Sequence, residues 1–219
     1  MATSQNFSDY AGDSEALAMT LTGYDNISAI NLTAASQIDA YFKRVLADPD
    51  SVARIAKTLL ITTITITGAP TGGAWTATIG GQTTADIAYN ASASAVKSAV
   101  EALASVGAGH SIVLGGPGPS TAWTICLVGT AVGQTISVAE SIGTPFTGGA
   151  TPAVADTVAG GGVTITDPVN GKISVTLDPA DTVGVQATLQ LQYAVKVFPA
   201  AITGGIGLLT IVPTVVQAT

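Results

Sequence analysis

For most of its length the chain alternates apolar and polar residues, and one stretch switches to helical spacing. In "EALAMTLT", Leu17, Met19 and Leu21 share one face and Ala18 and Thr20 the other. In "SQIDAYFKRV", Ile38, Ala40 and Phe42 oppose Asp39, Tyr41 and Lys43. Both patterns predict half-buried strands. "LADPDS" reads as a turn, because Pro49 restricts Asp48 and Asp50 can bond back to its own backbone. Residues 52–59 fit a strand or a short helical turn equally well. Further on, "LLITTITITGAPTGGAWTATIGGQ" predicts a hairpin with Trp75, Ala77 and Ile79 on one face. "HSIVLGGPGPSTAWTICLVGT" repeats that logic around Trp123, and "AVGQTISVAES" adds one strand.

Between the two hairpins lies "YNASASAVKSAVEALASVGAG". Val96, Val100, Leu103 and Val106 recur at spacings of four, three and three, which is one helical stripe. Ser92 is placed to cap the start and Gly107 to stop the end, so the pattern predicts a helix over about 92–106. The stretch after residue 142 reads as a linker ending in a glycine hinge at Gly160–Gly162. Strand texture then returns. "GVTITDPVNGKISVTLDPADT" is a hairpin around Asn170-Gly171, a strong short turn signal. Leu189, Leu191, Tyr193, Val195 and Val197 alternate along one face, and "AAITGGIGLLTIVPTVV" supplies a last partner. The expected fold class is mainly β: an antiparallel β-sandwich, with a small α+β module in which one helix covers an antiparallel sheet.

Composition narrows the function. Only 10% of the 219 residues are charged, against about a quarter in ordinary soluble domains. The surface must therefore be built of Thr, Ser, Gly, Gln and Ala, a composition that favours association. The net charge of −7 and the scattered basic residues argue against nucleic-acid binding. Mean hydropathy is positive, but no run of 18 apolar residues occurs, so no membrane span is expected. The N-terminal "MATSQNFSDYAGDSEA" lacks a basic region and an apolar core, so no signal peptide is expected.

Chemistry-bearing residues are sparse. The single cysteine, Cys126, leaves no intrachain disulfide framework and no cysteine-based zinc site, and its apolar setting predicts a buried thiol. The single histidine, His110, is followed by Ser111, but no nucleophile-elbow motif accompanies them, and an exposed turn histidine is expected. "DPDS" and "DPAD" lack the spacing of a calcium loop, and the Gly-rich "GGPGPS" lacks that of a phosphate loop. No catalytic residue, cofactor or metal ligand is expected. Trp75, Trp123, Tyr41 and Tyr193 are the candidate interaction residues. The two tryptophans suit stacking on sugar rings, or the commoner role of filling a core or a subunit contact.

Two parts of the sequence carry a resemblance. "INLTAASQIDAYFKRVLADPDSVARIAKTL" joined to "GGVTITDPVNGKISVTLDPADTVGVQATLQLQYAVKVFPAAITGGIGLLTIVPTV" resembles an Ig-like β-sandwich of tailed-phage virion proteins, best known as the baseplate upper protein N-terminal domain. The "NGK…VTL…ADT" pattern from Asn170 to Thr182 is its most specific part. "TITGAPTGGAWTATIGGQTTADIAYNASASAVKSAVEAL", residues 65–103, is similar to a small module of phage structural proteins.

The resemblance implies an Ig-like sandwich of residues 14–59 plus 160–219, an inserted module of residues 60–159, and a polar N-terminal arm of residues 1–13. It brings no catalytic residues. It implies a non-enzymatic virion component of a baseplate, tail fibre, neck or head fibre, assembled in the host cytoplasm. Expected partners are copies of itself, preferably as a trimer, and other capsid or tail proteins. The alternative is a virion adhesin that binds host glycan through Trp75 or Trp123.

Overall fold

The computed structural model describes residues 4–10, 15–22, 28–45, 47–149, 153–182, 189–198 and 202–212. In chain order the strands are β1 (Ser4–Tyr10), β2 (Glu15–Thr20), β3 (Gln37–Lys43), β4 (Ile55–Thr67), β5 (Ala74–Ile79), β6 (Gln82–Thr83) and β7 (Ile87–Ala88). Helix α1 (Ala93–Glu101) follows, then β8 (Ser111–Gly115), β9 (Trp123–Leu127), β10 (Ile136–Glu140), β11 (Ala153–Asp167) and β12 (Lys172–Leu177). The short helix α2 (Pro179–Thr182), β13 (Leu189–Phe198) and β14 (Ile202–Val212) complete the fold, which is mainly β with few helices. The chain divides into two compact units, Met1–Leu59 with Gly160–Thr219, and Leu60–Ala159.

In the first unit the strand order is β1-β14-β13-β3-β4-β11-β12-β2. β2 with β12, β11 with β12, β13 with β14, β3 with β13 and β3 with β4 pair antiparallel, and β1 with β14 pairs parallel. Eight strands laid flat would separate β1 from β2 by roughly 34 Å. The four residues between them reach only about 18 Å. The order therefore has to fold over on itself, as in a sandwich-type fold. An apolar face is buried in four of these strands: Leu17 and Met19 of β2, Ile38, Ala40 and Phe42 of β3, Ile173, Val175 and Leu177 of β12, and Leu191, Tyr193, Val195 and Val197 of β13. Those of β2, β3 and β13 are the alternating positions read from the sequence.

The N-terminal arm differs from expectation. Ser4–Tyr10 is not a free polar segment but strand β1, in register with β14 from Ser4↔Ile206 to Tyr10↔Val212. Main-chain pairing needs no apolar alternation, so composition gives no sign of it. Residues 1–3 and 11–13 of the expected arm lie outside the described residues.

The second unit has two small sheets rather than one. The distal part of β4 pairs with β9, and β9 with β8, while β5 pairs with β10, β6 and β7. The hairpin expected for β4 and β5 is thus not formed, whereas β8 and β9 do form theirs. Both sheets and α1 contribute to one core that includes Ile64, Ala77, Ile79, Val96, Val100, Val113 and Ile125. Ser92 caps α1, its hydroxyl accepting from Ala95 N at 3.3 Å. The helix is shorter than expected. After Glu101 the chain tightens, with Leu103 N donating to Val100 O and Val106 N to Leu103 O. Leu103 and Val106 still reach the core, and Gly107, at φ +81°, closes the end by donating to Leu103 O.

Gly160–Gly162 is not a hinge after a linker, because all three lie within β11. A Cβ on Gly160 would collide with the Leu59 carbonyl, so glycine there allows close main-chain approach at φ +80°.

Candidate functional site

Trp75 starts from β5 and Trp123 from β9, and each is placed by alternation on the inward face of its strand. Both are fully buried. The Trp123 indole N–H donates to Ala91 O at 3.0 Å, whereas the Trp75 N–H has no partner among the described residues. The "GGPGPS" loop wraps Trp123 so closely that a Cβ on Gly116 or Gly118 would strike its ring. Neither tryptophan is an accessible interaction residue, which removes the platform that glycan stacking needs. Tyr193 is likewise buried, its ring 5.8 Å from that of Phe42. Of the four candidate residues only Tyr41 is partly exposed.

Tyr41 belongs to a polar network that the sequence did not single out. The outward face of β3 carries Gln37, Asp39, Tyr41 and Lys43, and β13 sets Lys196 opposite Asp39. The "DPDS" turn supplies Asp50. One Asp39 oxygen accepts from Gln37 Nε2 at 2.7 Å and Tyr41 OH at 3.2 Å. The other is buried without a partner among the described residues. Lys43 Nζ donates to Asp48 O at 2.6 Å and pairs with Asp50 Oδ1 at 2.6 Å, while Lys196 pairs with Asp50 Oδ2. Both ammonium groups lie over the Tyr41 ring, at 5.9 and 5.5 Å from its centroid. Hydrogen bonds from Lys196 and then Lys43 hold the Asp50 carboxyl below its ordinary value. Burial, followed by Asp39, raises the Tyr41 hydroxyl.

A second network gives the "ADT" motif its role. Lys57 Nζ on β4 pairs with Asp178 Oδ2 at 2.8 Å and Asp181 Oδ2 at 2.6 Å, and Asp181 also accepts from Asp178 N at 2.7 Å. In the other unit, Asp86 accepts from the hydroxyls of Ser141 and Thr144, both at 2.7 Å, and fixes the loop after β10. All five lysines, Lys43, Lys57, Lys97, Lys172 and Lys196, lie in ion pairs.

His110 and Ser111 are neighbours that do not act together. His110 Nδ1 lies 2.9 Å from Val106 O and 3.2 Å from Thr130 Oγ1, whereas Ser111 Oγ donates to Glu101 Oε1 at 3.0 Å. The histidine is half-buried rather than exposed, packed beside Gly107 and Gly129. Cys126 is buried on β9, and burial pushes its thiol up to about 12. Among the described residues no group of three or more His, Cys, Asp or Glu gathers as a metal site, and no helix is long and apolar enough to cross a membrane.

The sequence placed the apolar faces but missed Asp39, Asp50, Lys57, Asp181 and Lys196 as network members. The one available signal was the polar Asp39-Tyr41-Lys43 alternation, since the partners lie far apart in sequence. No protein-family model and no curated protein matches the chain.

Proposed function

We propose that this chain is a non-enzymatic structural component of a tailed-phage or phage-derived particle, acting through protein–protein contacts with copies of itself and with other particle proteins. One observation carries this reading: every lysine is tied into an internal ion pair. Among the described residues the exposed Arg44 and Arg54 have no ion pair, and the exposed positions around the pairs include many Thr, Ala, Gly and Ser residues. Burying such a surface against a neighbour avoids the desolvation penalty of free lysines and carboxylates, which are depleted from interface cores. The resemblance of the Asn170–Thr182 pattern and of residues 65–103 to virion modules supports the particle as the setting.

The reading is tested by fractionating particles of the phage that encodes the chain. Peptides of the chain should co-purify with intact particles at a fixed ratio to the major capsid protein. Recovery only in the soluble fraction would overturn it.

A further inference from the structure

Of the asparagines in the sequence only Asn170 is followed by glycine. Asp167 holds it in two places. Asn170 N donates to Asp167 Oδ1 at 3.1 Å, and Asn170 Nδ2 donates to Asp167 Oδ2 at 2.8 Å. These bonds, the side-chain one first, hold the Asp167 carboxyl below its ordinary value, so it is an anion at neutral pH. The turn they brace runs from Asp167 of β11 to Lys172 of β12, which are partners in register. Asn170 is exposed, whereas Gly171 is buried. The turn also anchors other segments: Leu21 N donates to Gly171 O at 2.8 Å, and Leu32 N to Pro168 O at 2.7 Å.

An asparagine before glycine carries its own nucleophile. The next main-chain nitrogen, once its proton has gone to solvent base, can attack the side-chain Cγ, and glycine has no Cβ to obstruct the approach. The new N–Cγ bond replaces Cγ–Nδ2, and ammonia leaves. Water then opens the cyclic imide at either carbonyl, leaving aspartate or isoaspartate. Here the fold keeps the reactants off that path. Asp167 fixes Nδ2 and so keeps the Asn170 amide turned toward itself. Burial of Gly171 keeps solvent base from the nucleophile.

We infer that Asn170 is a deamidation site gated by the β11–β12 turn: closed while Asp167 holds the amide, open when the turn lets go, and irreversible once used. The product has no Nδ2 donor. Its carboxylate replaces an amide nitrogen held 2.8 Å from Asp167 Oδ2, so like charges oppose reclosure. Isoaspartate also adds a main-chain atom to a turn whose strands have a fixed register. A brief opening of the turn thereby becomes a lasting weakening of the hairpin and of its bonds to Leu21 and Leu32.

Peptide mass spectrometry of the purified full-length chain, incubated in mildly alkaline buffer with and without denaturing urea, follows the amide-to-acid change at residue 170. The native rate should be at least about tenfold below the denatured rate, the protection that a modest local opening energy confers. Asp167→Ser keeps an oxygen for Asn170 N but loses the one for Nδ2, and should speed the native reaction about fivefold. Val175→Ala, which weakens the buried face of β12 and leaves the turn alone, should not. Asn170→Asp, which mimics one product, should lower the urea midpoint. Equal native and denatured rates, an Asp167→Ser rate at or below wild type, a matching rise in Val175→Ala, or an unchanged midpoint for Asn170→Asp would overturn the inference. The comparison of native with denatured chain needs no variant, so it decides the matter should Asp167→Ser misfold. None of these results depends on whether the chain belongs to a particle.

Discussion

Trp75 and Trp123 pack ring against ring with centroids 5.4 Å apart and planes tilted by 43°, but among the described residues only Trp123 has a partner for its N–H. Trp123→Phe should therefore cost more than Trp75→Phe. Both lose packing, but only the first deprives the Ala91 carbonyl of its donor, a difference of about 1 kcal/mol. Urea unfolding followed by far-ultraviolet circular dichroism measures it. Equal costs would mean that the hydrogen bond contributes nothing.

Cys126 should be silent in the folded protein. The thiolate is the reactive form, and burial keeps the thiol protonated up to about 12. A thiol-labelling reagent at mild alkaline pH should react only as denaturant opens the second unit. Rapid labelling of the native chain would contradict the buried placement on β9.

The two networks of the first unit should set opposite limits of pH stability. Asp50 is lowered from 3.8 by Lys196 and Lys43, so its contribution is present above that value and lost as pH falls through the folded value. For Lys57, burial alone would lower the ammonium, but the hydrogen bonds it donates to Asp178 and Asp181 outweigh burial and raise it above 10.5. Its contribution is present below 10.5 and lost as pH rises through the folded value. Thermal midpoints against pH should show Asp50→Asn flattening the acid limb and Lys57→Met the alkaline limb. Unchanged limbs in both variants would refute the assignment.

Gly160→Ala should destabilise more than Gly161→Ala. Both backbones have positive φ, but a Cβ at Gly160 meets the Leu59 carbonyl, whereas one at Gly161 meets open space. The difference should exceed about 1 kcal/mol in chemical unfolding, the scale of overpacking against a rigid neighbour. Equal tolerance would restore the hinge reading of this segment.

What was legible follows from the range of the forces involved. Alternation placed Leu17, Met19, Ile38, Phe42, Leu191 and Val195 inward because burial acts residue by residue along a strand. The stripe of α1 was equally clear, since Val96, Val100, Leu103 and Val106 are all buried. Its end was not, because a tightened turn keeps Leu103 and Val106 on the same side as a continued helix would. Strand partners were harder. β4 resembles a hairpin partner of β5 in sequence, but pairing is decided by long-range register, which alternation does not encode. The networks failed for the same reason: Lys196 meets Asp50 and Lys57 meets Asp178 across 146 and 121 residues. Tryptophan sites were half legible, since alternation gave the face but not whether that face was core or contact.

If this chain is a part of a particle, as proposed, electron cryomicroscopy of the intact particle should reveal it. Density for both units is expected at a fixed copy number, touching neighbouring copies or other particle proteins. A well-resolved particle of the phage encoding the chain, with no density for either unit and none of its peptides, would contradict it.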